Sequence, residues 1–425
     1  MKPASLCVLR AIFALPVAES FRTRSLGKYL LVKLLILSLY FTPDLSAGSF
    51  RVQALIDELT ARRKNGVPIE VDLITAQPNR YNSLAIEAPE HEDHGWLRVR
   101  RISIPQHRGG MKDQARAYLT YARGVRALTR KGQWDIVFAT SSRLMTAGLG
   151  AHVSRRLGVP LYLDIRDLFT DNMVELLAGS QLRILMPAFR WIERRAFRRA
   201  SRINVVSEGF VPHVRSVAPS AQVSVLTNGI DDAFLTGSFE HGEGETGLPL
   251  IVYAGNMGEG QGLHRIVPQA ASQLQGIAQF RLIGDGGQRK ALADALAEAS
   301  VTNVELVSPV PRVALMDHYR QADFLFMHLN DLQAFRRVLP SKVFEYGAIG
   351  KPILAGVAGH AASFCSQHLP DAVVFEPLDA DALVHSVQRL IASPADINRA
   401  AFRQRFARAT ITRALAADIL SLADR

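Results

Sequence analysis

Short apolar runs of strand length, each followed by a small-residue loop and an amphipathic helix, recur along this chain. The first, Leu34-Leu35-Ile36-Leu37-Ser38-Leu39-Tyr40, is interrupted by a single serine. A run without polar alternation has no face to give to water, so it reads as a central parallel strand covered on both sides. The loop 41–49 follows, then a helix with Val52, Leu55, Ile56 and Leu59 on one face. Similar runs lie at 67–75, 135–139, 161–168, 203–207 and 223–226, and again at 250–254, 280–283, 303–307, 324–329 and 353–355. Strands alternating with helices predict doubly wound parallel sheets, whose ligands gather at strand C-termini. At 425 residues and 48% apolar, the chain suffices for two such domains. The Gly-, Glu- and Ser-rich stretch 236–247 reads as the linker between them.

The net charge of +11 calls for an anionic partner: nucleic acid, an acidic lipid surface or a phosphorylated substrate. No aromatic-and-basic recognition motif accompanies the charge, so a nucleic-acid partner is not expected. Two cysteines, Cys7 and Cys365, make neither a disulfide framework nor a metal cluster, which fits a reducing compartment. Residues 1–27 form an extension whose apolar part contains Arg10, against a signal peptide. The apolar stretch 29–41 is too short to cross a bilayer, and Lys33 interrupts it.

In the first half, Gly48, Ser49 and Arg51 fall in a loop at a strand's C-terminal edge, where a substrate would lie; a plain turn would look much the same. His91 and His94 sit among acidic residues in a polar stretch best read as solvated loop. Gly109, Gly110 and Lys112 lead into a helix over 114–129, and Thr140-Ser141-Ser142 closes the next strand. The run 161–168 ends in Asp164-Ile165-Arg166-Asp167, two carboxylates and a guanidinium at a sheet edge. They either close the strand end as an ion pair or orient an acceptor hydroxyl and offset charge on a departing phosphate; the two carboxylates cannot be ranked by position. Over 182–202, Leu182, Leu185, Met186, Phe189 and Ile192 recur at helical spacing, while Arg190, Arg194 and Arg198 line another face. Pro187 should kink or restart this helix. Trp191 and Phe197 among the arginines suit contact with anionic lipid headgroups, and a solvated basic face on a core helix is the equal alternative.

In the second half, 255–262 reads Gly-Asn-Met-Gly-Glu-Gly-Gln-Gly before a helix, and Gly284-Asp285-Gly286-Gly287 forms another glycine turn. Glycines there let backbone approach a diphosphate, although Leu263 breaks the dinucleotide fingerprint. Asp379-Ala380-Asp381 precedes a helix and reads as its N-cap rather than a metal motif. The stretch Val338 to Gly356, VLPSKVFEYGAIGKPILAG, predicts a helix capped by Ser341, stopped at Gly350 and followed by a strand. Lys342 and the helix start suit a phosphate. Glu345, one turn in, either accepts bonds from sugar hydroxyls or complements the helix dipole.

This stretch resembles the donor-nucleotide segment of glycosyltransferase family 4, the retaining sugar transferases of the GT-B fold. Its nearest likeness is the bacterial O-antigen and capsule branch, including enzymes similar to N-acetyl-fucosamine transferases. That branch carries P-S-K-x-x-E-Y-x-A-x-G-K-P, matched by Pro340, Ser341, Lys342, Glu345, Tyr346, Ala348, Gly350, Lys351 and Pro352. Its loop with an F-R pair matches Gly48, Phe50 and Arg51, its D-x-R-D-L matches 164–168, and its G-D-G matches 284–286.

The resemblance implies a GT-B fold of two doubly wound Rossmann-like domains facing each other across a cleft. It divides the chain into an acceptor-side domain at 28–235, a nucleotide-sugar domain at 248–398, and a C-terminal helix at 399–425 crossing back to the first domain. A nucleotide sugar would meet Gly255, Asn256, Gly258, Gly284, Asp285, Gly286, Ser341, Lys342 and Glu345. Asp164, Arg166, Asp167 and Lys342 would be catalytic, and Gly48, Ser49 and Arg51 would form an acceptor or phosphate loop. No cofactor and no metal are implied. The expected activity is transfer, with retention, of an N-acetylated amino sugar from a UDP-sugar to a polyprenyl-diphosphate-linked saccharide. It would occur on the cytoplasmic face of the membrane, held there by the basic helix near Arg190 to Arg202. A nucleotide-sugar epimerase of the same fold and a non-catalytic basic binding protein are the alternatives. The match departs at Arg337, where most members carry a first glutamate eight positions before the second. It departs also at Asn256 and Gln261, where they carry arginine and lysine. Lys342 is the preferred replacement cation, with Arg337 as a second.

Overall fold

The computed structural model describes residues 31–44, 46–78, 88–105, 111–141, 144–176, 181–239, 247–393 and 397–423. Residues 1–27, the Gly109-Gly110 pair, Ser142 and linker residues 240–246 lie outside the described residues.

The apolar runs form two sheets. The first contains β1 (Val32–Leu37), β2 (Ile69–Ala76), β3 (His91–Asp93), β4 (Leu97–Ile102), β5 (Ile136–Ser141), β6 (Leu161–Ile165), β7 (Arg202–Val205) and β8 (Gln222–Val225). Their order is β3-β4-β2-β1-β5-β6-β7-β8, parallel except for the β3–β4 pair. The second contains β9 (Leu250–Ala254), β10 (Gln279–Ile283), β11 (Val304–Val307), β12 (Phe324–His328), β13 (Ile353–Gly356) and β14 (Val373–Phe375), in the order β11-β10-β9-β12-β13-β14.

Both sheets are covered on both faces, as unbroken apolar strands require. In β1, Leu34 and Ile36 join one core while Leu35 and Leu37 join the opposite one. In β9, Val252 and Ala254 face one core while Ile251 and Tyr253 face the other. Side chains alternate across a strand, so one run feeds two cores. The helix Arg408–Leu420 sends Leu415, Ala416 and Ile419 into the first sheet's core beside Val52 and Leu55 of the helix Ala47–Lys64. Asp418 fastens it there, accepting from Tyr162 Oη at 2.7 Å and Ser224 Oγ at 2.7 Å and pairing with Arg202. Among the described residues, no helix is long and apolar enough to cross a membrane.

The strand order reverses beside β1 in one sheet and beside β9 in the other. Such switch points open a crevice beyond the strand ends.

Two local expectations are corrected. His91, read as loop, lies in the edge strand β3, where Glu92 pairs with Arg101 and His94 sits 3.3 Å from Glu92. The first helix begins at Ala47, capped by Ser46, so Gly48 and Ser49 belong to its first turn and not to the loop.

Candidate active site

Asp164 lies inside β6, aligned with Thr140 of β5 and Asn204 of β7. Its side chain is 0% exposed. Arg51 donates to both carboxylate oxygens at 2.9 Å, Asn204 Nδ2 donates to Oδ1 at 2.8 Å, and Thr140 Oγ1 donates to Oδ2 at 3.0 Å. A carboxylate has about four acceptor positions, and all are occupied. The remaining Arg51 donors reach the carbonyls of Leu226 and Thr227. Burial alone pushes the Asp164 acid upward, but the Arg51 charge and hydrogen bonds prevail and hold it below the usual range. Asp164 and Arg51, expected at the acceptor, therefore face into the protein and brace the strand ends.

Ser49 is corrected likewise: it is buried, its hydroxyl 2.8 Å from Ser46 Oγ. Gly48 lies under Arg166, and a Cβ there would collide with the guanidinium. Asp167, past the end of β6, is open to solvent. Desolvation by the neighbouring protein pushes its carboxyl up to about 6 against the pull of Arg166. Of the two carboxylates, only Asp167 combines access with a pKa near neutrality.

The second domain's crevice is built on backbone. Gly255 and Gly284 end β9 and β10 with φ of +143° and +144°, and a Cβ on Gly284 would strike the Gly255 carbonyl. A Cβ on Gly286 would strike the Met257 backbone. The two glycine turns thus pack against each other, with Met257 N–H donating to the Asp285 carbonyl at 2.8 Å. Asp285 itself is exposed and accepts from Gly286 N–H. The helix Lys342–Ile349 projects Lys342 to this switch point. Its Nζ lies 3.2 Å from Tyr253 Oη and 4.5 Å from the centre of that ring, where a Cβ on Gly255 would displace it.

Asn256 and Gln261, which replace the expected cations, bond to each other at 2.7 Å, and Gly258 N–H donates to the same Gln261 oxygen at 3.3 Å. Two further residues, missed in the sequence, hold this loop. His328 ends β12 and is buried; its Nδ1 donates to the Gln261 carbonyl at 2.6 Å and its Nε2 accepts from Leu378 N–H at 2.9 Å. Burial lowers its pKa to about 4, so the imidazole is neutral, as that bonding requires. Asn330 donates to the Glu259 carbonyl at 3.0 Å. A polar residue closing an apolar strand was the available signal, the same one that marked Asp164.

Glu345 is half-buried. Burial raises its pKa, opposed by the charges of Lys342, Arg312 and Arg408. Those arginines both grip Asp231, at 2.5 and 2.8 Å. Ser341 stands before the helix but donates and accepts no cap: its backbone is already helical and its side chain is exposed. The predicted cap is corrected: the Ser341 side chain closes no hydrogen bond at the helix start. Gly350, at φ +80°, ends the helix as expected. Asp379 caps its helix by accepting from Ala382 N–H. Among the described residues, no group of three or more His, Cys, Asp and Glu side chains is arranged to hold a metal.

The helix Met186–Arg199 restarts at Pro187 after a 3-10 turn. Met186 enters the core as expected; Phe197, read with Trp191 as facing lipid, is corrected, since it too is buried in the core, and Leu185, expected on the core face, is exposed. Arg155, Arg194, Arg195, Arg198, Arg199 and Trp191 line an outer groove of about 360 Å³. Arg195 lies over the Trp191 ring, which is 61% exposed, and Ile184, in the preceding 3-10 turn, is 82% exposed.

Residues 48–229 match the Glycosyl transferase 4-like domain, and residues 248–393 match Glycosyl transferases group 1. A comparison with curated proteins finds no match. Among solved structures, sucrose-phosphate synthase from Thermosynechococcus elongatus has a TM-score of 0.63 at 16% identity, over 92% of this chain and 96% of that one. HepE of Anabaena, in complex with UDP and glucose, has a TM-score of 0.63 at 15% identity, over 92% and 99%. The lipopolysaccharide outer core galactosyltransferase WaaB has a TM-score of 0.61 at 12% identity, over 92% and 99%. At such identities the likeness is one of fold. The two sheets give the two-domain GT-B fold, and the two domain matches, one in each half of the chain, mark it as a glycosyltransferase of that type. Its first domain is of the family 4-like kind and its second of the group 1 kind.

Proposed function

We propose that the chain transfers an N-acetylated amino sugar, with retention, from a UDP-sugar to a lipid-linked saccharide during assembly of a bacterial surface polysaccharide. The reading is carried by Lys342, whose ammonium rests on Gly255 at the second domain's switch point. A diphosphate at the glycine turns would meet that ammonium and the Gly258 backbone, while Glu345 and Ser341 would take donor hydroxyls. HepE, with UDP and glucose bound, favours UDP as the nucleotide.

On the first domain, Asp167 and Arg166 receive the acceptor. The acceptor oxygen attacks the anomeric carbon on the face the leaving phosphate vacates. Its proton passes to that phosphate, or to Asp167 when ionised. Charge growing on the phosphate is met by Lys342 and the helix start, fixed before reaction begins. Asp164, Arg51 and Ser49 hold the crevice's floor. The basic groove with Trp191 suits the anionic cytoplasmic surface of a membrane, with arginines at the headgroups and the indole below them.

Saturation-transfer NMR against UDP-, GDP- and dTDP-sugars tests the donor reading. One UDP-sugar is expected to bind, and Glu345→Ala to abolish binding. Lys342→Ala is expected to lower kcat by about 10²–10³-fold. A folded sample that binds no nucleotide sugar would overturn the proposal.

A further inference from the structure

The turn Phe335–Arg337 leaves the second domain and lies against the first. Arg337 Nη1 forms an ion pair with Asp171 Oδ2, on the first domain's helix Phe169–Leu176. Ser207 donates its hydroxyl to the Arg337 carbonyl at 2.6 Å. Gly209 faces the same carbonyl so closely that a Cβ would strike it, and Val338 packs on the first domain's core. On its other side the turn is backed by its own domain, where Gly359 at φ +62° leaves no room for a Cβ beside the Arg336 carbonyl. Asp171 is itself held from behind. His213 Nδ1 lies 3.6 Å from its carboxylate, and His213 Nε2 lies 3.1 Å from Glu193, which also accepts from Thr170.

Arg337 was a candidate for the donor phosphate, yet its guanidinium reaches the opposite domain. We infer that Arg337 and Asp171 form a latch that holds the two domains together across the cleft, making Arg337 a positioning residue. The backbone contacts of Ser207 and Gly209 set the register of closure, and the ion pair supplies its strength. The Arg337 side chain is 46% exposed and Asp171 24% exposed. Water and salt compete for such a pair, so it releases readily, as a cleft that must discharge product requires. The inference rests on the reading that donor and acceptor meet between the domains, but its first readout needs no substrate.

The test is an interdomain distance measured by double electron–electron resonance on the full chain. Labels replace exposed Lys131 and Lys290, with serine at Cys7 and Cys365. Asp171→Arg and Arg337→Asp should each broaden the distribution toward longer distances. Each should raise the donor KM about tenfold while changing kcat less, because only the closed fraction binds fully. The doubly reversed variant should recover both readouts, and 1 M salt should broaden the wild type. The latch is overturned if the single variants leave the distance unchanged, or if the double variant is no better than the worse single one. A lower kcat at unchanged distance would instead make Arg337 catalytic. Failure of the sugar-transfer reading would remove the kinetic effect and leave the distance effect standing.

Discussion

Asp164 and Asp167 are three positions apart and lie in opposite surroundings, one sealed inside the sheet and the other open to solvent. The first is the centre of a buried ion pair with Arg51, and removing one member leaves the other charged and without compensation. Asp164→Ala is expected to cost about 3–5 kcal/mol in urea unfolding. Asp167→Asn removes a carboxylate that the fold holds ionised only at a cost, so at neutral pH it should not lower stability, and it should act on rate. With a carboxyl pushed up to about 6, ionised Asp167 gives kcat/KM an acid limb with its midpoint near that value, and Asp167→Asn should remove the limb. A limb that survives the substitution would assign proton transfer elsewhere.

At the scale of the element, the second crevice depends on two turns that exclude side chains from each other. Gly284 needs both a left-handed φ and an absent Cβ, since any β-carbon meets the Gly255 carbonyl. Gly66 also has positive φ, +90°, but faces open space. Gly66→Ala is expected to cost only backbone strain, about 1 kcal/mol. Gly284→Ala should cost at least about 2 kcal/mol and abolish nucleotide-sugar binding, because the turns must separate. Calorimetry of both variants, with and without donor, checks the contrast. The glycines were legible in the sequence as turns where backbone comes close. That Asn256 and Gln261 bond to each other was not, because a loop's internal pairing depends on its path through space.

For the whole molecule, the interdomain cluster at His213 links pH to stability. Burial lowers its pKa, but the hydrogen bond and charge of Glu193 and the charge of Asp171 outweigh that and the opposing Arg337, so the net direction is upward. A histidine raised in the folded state contributes stability that is fully present below the unfolded value, about 6.5, and lost as pH rises through the folded one. The melting temperature of wild type should therefore exceed that of His213→Gln most at about pH 5.5, and the gap should narrow steadily in alkali. A gap that widens with pH would reverse the sign and exclude the ionic role.

What the sequence determined by itself was the alternation of strand and helix, hence two doubly wound sheets, and the sheet edges at which polar residues interrupt apolar runs. Those features are local: a seven-residue apolar run needs cover on both faces wherever it lies. Tertiary structure decided which edge residues meet solvent. Asp164 turns inward because Thr140 and Asn204 flank it in register and Arg51 arrives from 113 residues away. Arg337 meets Asp171 from 166 residues away. Charges of one sign look alike along a chain, and only the packing of distant elements selects which of them are neutralised and which remain for a substrate.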